Sequence, residues 1–257
     1  GRQLNRSEQF ARQRRFSHTY RHLHHKHQQA SQTVPSMAPR PPAGVVDSRP
    51  TMETWQDWTC EVSVWVADSR ALEVSGRIVR EVMNDVELSA SRFRPDSEVM
   101  QLTDGLVHHC SPALVSMLSC ALDAAQATDG LLDPTLGQVM RSWGYVDALP
   151  TDPLSVHAVG PRLVISRSAS WRDIVINDNA IRVPKGVLID LGATAKAWTS
   201  DQASRRIWEE LNTPCVVSIG GDLAVAGPAE FRTVVEVAER PTDGSISVLI
   251  GPGGLAT

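Results

Sequence analysis

Residues 186–190 (GVLID) form an apolar run of strand length that leads through Gly192-Ala193-Thr194-Ala195-Lys196 into a helix-forming stretch. Trp198, Ala203, Ile207, Trp208 and Leu211 recur there at helical spacing. A second apolar run, 215–219, follows and ends in Gly220-Gly221-Asp222. A strand, a glycine-bearing turn, a long helix and a further strand must therefore pack within about 35 residues, which requires sheet and helix in one core. Two more strand patterns occupy 233–238 and 245–250, and 251–254 (GPGG) reads as a turn. Residues 173–183, DIVIND followed by NAIRV, read as a hairpin with Asp178-Asn179 near its turn. Interspersed helices and hairpin-like late strands favour an α+β fold over a doubly wound sheet.

The earlier part of the chain agrees. In 59–68 (TCEVSVWVAD), Cys60, Val62, Val64 and Val66 alternate with Glu61, Ser63 and Trp65, the period of a half-buried strand. Over 69–90, Leu72, Val74, Ile78, Val79, Val82, Met83 and Val86 form the stripe of an amphipathic helix. Residues 91–102 begin as a loop, since Pro95 cannot sit inside a helix. Ser111-Pro112 opens a second helix, with serine as N-cap and proline in the first turn. Residues 128–135 (TDGLLDPT) form a loop, and a short helix follows, ending near Trp143. Residues 149–170 are rich in proline and serine and show weak periodicity.

Composition divides the chain. Residues 1–50 hold nine Lys/Arg against two Asp/Glu, a net +7, so the other 207 residues carry −11 of the total −4. The head is rich in Arg, Gln, His, Ser and Pro and has no apolar stripe, so it is expected to be a disordered basic tail preceding a domain over 51–257. His18, His22, His24, His25 and His27 make it histidine-rich, which suits either a solvated tail or a metal-touching one. An acidic body is a poor partner for nucleic acid, because phosphate neutralisation needs a basic face. No apolar run approaches the roughly 20 residues of a transmembrane helix. Neither a secretory h-region nor a lipobox is visible, and a cytoplasmic location is the expectation. Cys60, Cys110, Cys120 and Cys215 form neither a CxxC pair nor a zinc spacing, which fits reduced thiols.

The segment around Lys196 carries the most chemistry. A helix start presents unpaired N–H groups and partial positive charge, so it attracts phosphate. A lysine in that first turn is otherwise unfavourable. Lys196 therefore either meets an anion or points to solvent. The segment is neither GxxxxGK[ST] nor GxGxxG, so the P-loop and dinucleotide fingerprints are excluded. Gly220-Gly221-Asp222 allows either close ligand approach or a tight turn. Asp129 and Asp133 are either turn formers or acid/base groups. Phe93, between Arg92 and Arg94, either stacks on a flat ligand or joins the core.

Four blocks, in order, then resemble one family. They are Ser91-Arg-Phe93-Arg-Pro-Asp96-Ser97-Glu98; Thr128-Asp129-Gly130-Leu-Leu-Asp133-Pro-Thr135 with Trp143-Gly-Tyr145; Leu188-Ile-Asp190-Leu-Gly-Ala193-Thr-Ala-Lys196; and Ser218-Ile-Gly220-Gly221-Asp222-Leu. From about Trp55 to Thr257 the chain resembles the FAD:protein FMN transferases, the ApbE-like family.

The resemblance implies an α+β fold of mixed sheets with packed helices. It also implies an enzyme that moves FMN from FAD to a Thr or Ser hydroxyl of an acceptor flavoprotein, releasing AMP, with Mg²⁺ required. Carried over block by block, Ala193 offers its backbone carbonyl to the metal, Asp190 and Lys196 lie along FAD, and Phe93 stacks on the flavin. Thr128, Asp129, Gly130 and Asp133 line the cleft, and Gly220, Gly221 and Asp222 lie near the nucleotide or are structural. Some positions depart from the pattern. Asp57-Trp58-Thr59 stands where Met-Gly-Thr is common, Ala197 where glycine is, and Ser218 where asparagine is. Trp58 either crowds a flavin edge or marks a subfamily. The family's later Asp/Thr cluster, which supplies metal ligands and activates the acceptor, has no counterpart before Thr257. The domain is thus expected to be incomplete at its C-terminus, with its catalytic residues unassigned. The alternative is a flavin-binding or assembly module without catalysis.

Overall fold

The computed structural model describes residues 51–145, 170–237 and 246–256. The basic tail expected over 1–50 and nearly all of the Pro/Ser-rich stretch 149–170 lie outside the described residues.

The main sheet combines β1 (Met52–Asp57) and β2 (Cys60–Val66) with β6 (Cys215–Ile219), β7 (Asp222–Ala226) and β10 (Gly253–Leu255). Their order is β1-β2-β6-β7-β10, and every pairing is antiparallel. The alternation read in β2 decides its orientation: Val62, Val64 and Val66 are fully buried, while Glu61, Ser63 and Trp65 face the other way. Two helices cover the buried face. In α1 (Leu72–Ala90), Ile78, Val79, Val82, Met83 and Val86 supply the inward stripe. In α5 (Ala195–Leu211), the inward face is made of small residues, Thr199, Ser200, Ala203 and Ser204, together with Ile207. Small side chains let this helix approach the sheet closely, and Ser200 Oγ donates to the Asp222 carbonyl at 3.0 Å.

A second core forms where the end of α1 meets α2 (Glu98–Gln101) and α3 (Pro112–Ala127), with Leu114, Met117, Leu118 and Ala121 buried. A three-stranded sheet of β3 (Val107–His109), β4 (Val175–Asn177) and β5 (Ala180–Arg182), in the order β3-β5-β4, closes it. The expected hairpin is β4–β5, and Asp178 takes the left-handed φ of +51° at its turn. A short helix, α4 (Gly137–Ser142), and a separate hairpin of β8 (Thr233–Val237) with β9 (Ile246–Ile250) complete the described elements. The α+β class holds.

Ser111 caps α3 as its sequence implies: its Oγ accepts from Leu114 N at 3.2 Å, with Pro112 in the first turn. Ser111→Ala is expected to lower unfolding free energy by about 1 kcal/mol, measurable by urea titration.

Three local expectations change. Leu188 and Ile189 of the 186–190 run are buried, but the run does not form a strand. Its backbone is engaged by the 134–137 loop instead: Gly137 N donates to Leu188 O at 3.1 Å, and Asp190 N donates to Pro134 O at 2.8 Å. A side chain at position 137 would sit 2.5 Å from the Leu188 carbonyl, so only glycine permits this approach. The expected turn over 251–254 is confined to its first half, since Gly253 and Gly254 begin edge strand β10. The first strand of the main sheet, β1, lay outside the sequence reading. Its outer position leaves alternate residues exposed, which dilutes the apolar signal.

Candidate functional site

Between the end of α1, the loops 91–97 and 131–136, and the start of α5 lies a cavity of about 1070 Å³. That is room for a ligand at or above drug size. Leu132, Leu136 and Met140 give it an apolar side. Asp190, Lys196, Arg92 and Arg94 add charge, and Phe93 adds a half-exposed ring.

The polar wall is built around Arg92. Its Nε donates to Asp190 Oδ2 at 2.5 Å, its Nη1 donates to the Tyr145 carbonyl, and its guanidinium lies 4.1 Å from the centre of the Phe93 ring. The pair is largely withdrawn from water, with the arginine side chain 8% and the aspartate 17% exposed. The other Asp190 oxygen accepts from Gly192 N at 2.8 Å and shapes the turn into α5. One side chain thus joins the loop after α1, the segment ahead of α5 and the end of the α4 region.

Lys196 is the second residue of α5. Thr194 makes no side-chain cap bond and the first turn carries no acidic residue, so the positive end of the helix is unneutralised where Ala193, Thr194, Ala195 and Lys196 line the cavity. A methyl group placed on Gly220 would lie 3.1 Å from Lys196 Nζ and 3.1 Å from Cys60 Sγ, which brings the β6–β7 turn close behind the lysine. Burial pushes the Cys60 thiol pKa up, and the nearby lysine partly opposes this. On the rim, Arg94 pairs with Asp96 at 2.8 Å and lies 3.7 Å from Glu87. The Arg94 hydrogen bond holds the Asp96 carboxyl below its ordinary value.

Of the residues singled out from sequence, Phe93, Asp133, Asp190, Ala193 and Lys196 share the cavity wall. Asp133 is occupied locally, accepting from Thr135 N at 2.8 Å and from Thr135 Oγ1 at 2.7 Å. Gly220 stands behind Lys196, while Gly221 and Asp222 lead into β7 and are not in the wall. Thr128, Asp129 and Gly130 are also outside it. Thr128 Oγ1 donates to Ala124 O at the end of α3, Asp129 pairs with Arg172 at 3.1 Å, and Gly130 faces the Trp171 indole. Trp58, read from sequence as either crowding a flavin edge or marking a subfamily, lines the cavity, while the Arg92 bridge and the Thr59 and Cys60 part of the wall were not found from sequence. Arg92 meets Asp190 across 98 residues, a contact with no local periodicity to betray it.

Among the described residues, no three His, Cys, Asp or Glu side chains gather so as to hold a metal ion, and no helix is long and apolar enough to cross a membrane. Asp190, the carboxylate nearest Ala193 in sequence, already has both oxygens engaged. The described residues therefore do not by themselves fit a magnesium site.

Comparison with known proteins places the chain. The FAD:protein FMN transferase of Vibrio cholerae is 26% identical over 222 residues, covering 81% of this chain and 63% of that protein. The FAD:protein FMN transferase of Rhodobacter capsulatus is 26% identical over 163 residues, covering 56% of this chain and 31% of its relative. The chain thus spans between about a third and three-fifths of the length of these curated relatives. The crystal structure of the ApbE protein from Thermotoga maritima superposes with a TM-score of 0.63 at 21% identity, covering 80% of this chain and 69% of that one. The apo flavinyl transferase ApbE of Pseudomonas stutzeri does so with a TM-score of 0.59 at 15% identity, covering 79% and 68%. These likenesses show the fold. The sequence profile of the ApbE family matches residues 57–257, more than three-quarters of the length, and the chain belongs to that family.

Proposed function

We propose that the cavity binds FAD and that the chain takes part in moving its FMN half to a Thr or Ser hydroxyl of an acceptor flavoprotein, with release of AMP. The observation that carries this is the convergence of Lys196, the start of α5 and the Arg92-braced Phe93 on one cavity of about 1070 Å³. A dinucleotide needs a cationic cradle for its diphosphate and an aromatic surface for its ring system, and both are present in one wall. The names of the Vibrio and Rhodobacter relatives support the same substrate.

In the proposed reaction the acceptor hydroxyl oxygen bonds to the FMN phosphorus and the phosphoanhydride bond to the AMP half breaks. AMP leaves with the electron pair, and the hydroxyl proton passes to a base. Transfer of this kind depends mainly on positioning and charge neutralisation. Lys196 and the α5 amides would hold the diphosphate and offset charge on the departing phosphate. Arg92 fixes Asp190 and Phe93 and so orients the ring end. The family resemblance adds a Mg²⁺ requirement, with the Ala193 carbonyl as one donor. The described residues do not complete the ion's site.

The test is AMP release from FAD in the presence of a threonine-containing acceptor, with and without Mg²⁺. Mg²⁺-dependent AMP together with flavin covalently on the acceptor is the expected outcome. FAD binding without AMP would assign the chain to a flavin-binding role, and absence of FAD binding would overturn the reading altogether.

A further inference from the structure

Two hairpin turns lie side by side at one end of the main sheet, and they meet the same backbone demand differently. Asp57 pairs with Cys60 across β1–β2, and Ile219 pairs with Asp222 across β6–β7, so each loop has two residues. Loops of this length require positive φ at both central positions when they take the type I′ form. The β6–β7 turn uses Gly220 at +59° and Gly221 at +95°. The β1–β2 turn uses Trp58 at +45° and Thr59 at +62°. A bulky aromatic and a β-branched residue are both disfavoured there. Glycine would remove the conformational cost, as it does in the neighbouring turn, so these side chains are kept against the preference of the backbone. Such outliers point to a role at the site they border.

The indole is also anchored. Trp58 Nε1 donates to Glu87 Oε1 at 2.7 Å, Trp58 N donates to Asp57 Oδ1 at 2.8 Å, and Thr59 Oγ1 donates to the Trp58 carbonyl at 2.6 Å. Its ring packs against both cores, and it lines the cavity. Glu87 in turn approaches Arg94, the neighbour of Phe93. Trp58 is therefore linked through Glu87 to the loop that carries the aromatic surface.

We infer that Trp58 is a specificity-determining residue of this cavity, a rigid indole wall that selects a ligand carrying a flat tricyclic ring over one carrying only the adenosine diphosphate half. This rests on the reading of the cavity as an FAD site. It predicts that the indole contributes to binding of the flavin half and not to that of ADP. The strained turn and the Glu87 bond hold the wall in place before the ligand arrives, so no ordering cost falls on binding.

The test compares FAD and ADP affinities by calorimetry in the wild-type chain, Trp58→Asn and Trp58→Phe. Asparagine tolerates the left-handed conformation, so the turn persists while the ring is lost. Trp58→Asn is expected to weaken FAD binding about tenfold, the scale of one aromatic contact, and to leave ADP within about twofold. Trp58→Phe keeps a ring and is expected to recover most of the FAD affinity. The thermal midpoint of each variant, read in parallel, shows whether it is folded. Should Trp58→Asn unfold, Trp58→Gly takes its place, since glycine suits this turn as it does the β6–β7 turn, and an unchanged FAD/ADP affinity ratio there overturns the inference. An unchanged ratio in folded Trp58→Asn also overturns it, as does a parallel loss of both ligands. If the wild-type chain binds ADP but not FAD, the flavin reading itself fails, a different result from FAD binding that ignores Trp58.

Discussion

Lys196→Ala is expected to weaken FAD binding by between about tenfold and a hundredfold, the range of a charge-assisted phosphate contact. The same substitution is expected to leave the fold at least as stable. Lysine in the first turn of α5 opposes the helix dipole, and alanine is the better helix former. Loss of affinity without loss of stability is the signature of a residue whose partner is a ligand. Lys196 lines the cavity with Ala193, Thr194 and Ala195, and its ammonium lies near Gly220 and Cys60. Salt sharpens the test. Wild-type affinity should fall as ionic strength rises, because a charge–charge contact at a partly open site is screened. The alanine variant should show a shallower dependence. Titration of FAD fluorescence at two salt concentrations, beside thermal unfolding of both proteins, reads all of this. A variant that is destabilised yet binds FAD as before would assign Lys196 to packing.

Arg92→Met should act in the opposite sense, through the fold. It would leave the Asp190 carboxylate, with only 17% of its side chain exposed, facing the place of its lost partner. Removing one member of a buried pair costs about 3–5 kcal/mol, and the opening onto the cavity should bring this down to about 2–4 kcal/mol. Three segments lose their common tie at once, because Arg92 also donates to the Tyr145 carbonyl and lies over Phe93. Arg92→Lys keeps the charge but cannot fork between two acceptors, so it should recover only part of the loss. A double-mutant cycle with Asp190→Asn isolates the pair. The double mutant should be less destabilised than the sum of the two single changes, since neither group is then left unpaired. Urea unfolding followed by tryptophan fluorescence provides the values, and additivity would show that the pair does not couple.

Much of the framework is legible in the sequence because it is local. The alternation of Val62, Val64 and Val66, the stripe from Ile78 to Val86, and the Ser111-Pro112 cap each encode one element within a dozen residues, and each forms as read. Residues 186–190 show the limit of such reading. Their apolar content announces the burial of Leu188 and Ile189, but burial does not specify a strand. Hydrogen bonds from Gly137 N and to Pro134 O, about 50 residues earlier in the chain, decide that this segment runs beside a loop. The edge strands β1 and β10 are faint for a related reason: one is half exposed and the other is nearly all glycine.

The site divides in the same way. Asp190, Ala193 and Lys196 follow one another along one short stretch: the helix-start argument points to Lys196, and the family block adds Asp190 and Ala193. Phe93 and Asp133 arrive from separate loops, and the family blocks point to them where spacing does not. Thr128, Asp129 and Gly130 belong to the same block as Asp133, yet they serve to end α3 and to meet Trp171 and Arg172. Motif membership therefore did not separate cavity residues from the turn that supports them. The Arg92 bridge becomes visible only in three dimensions, through a partner 98 residues away, and Trp58, which the sequence marks as a departure beside the flavin, shows its strained backbone only there.

Calorimetric titration of FAD into the wild-type chain, repeated with ADP present as competitor, bears on the whole reading of the cavity. Saturable one-to-one binding that ADP weakens, and that Lys196→Ala diminishes, is the expected result. Absence of saturable binding by the folded chain, or binding indifferent to both ADP and Lys196, would contradict the assignment of this cavity to FAD.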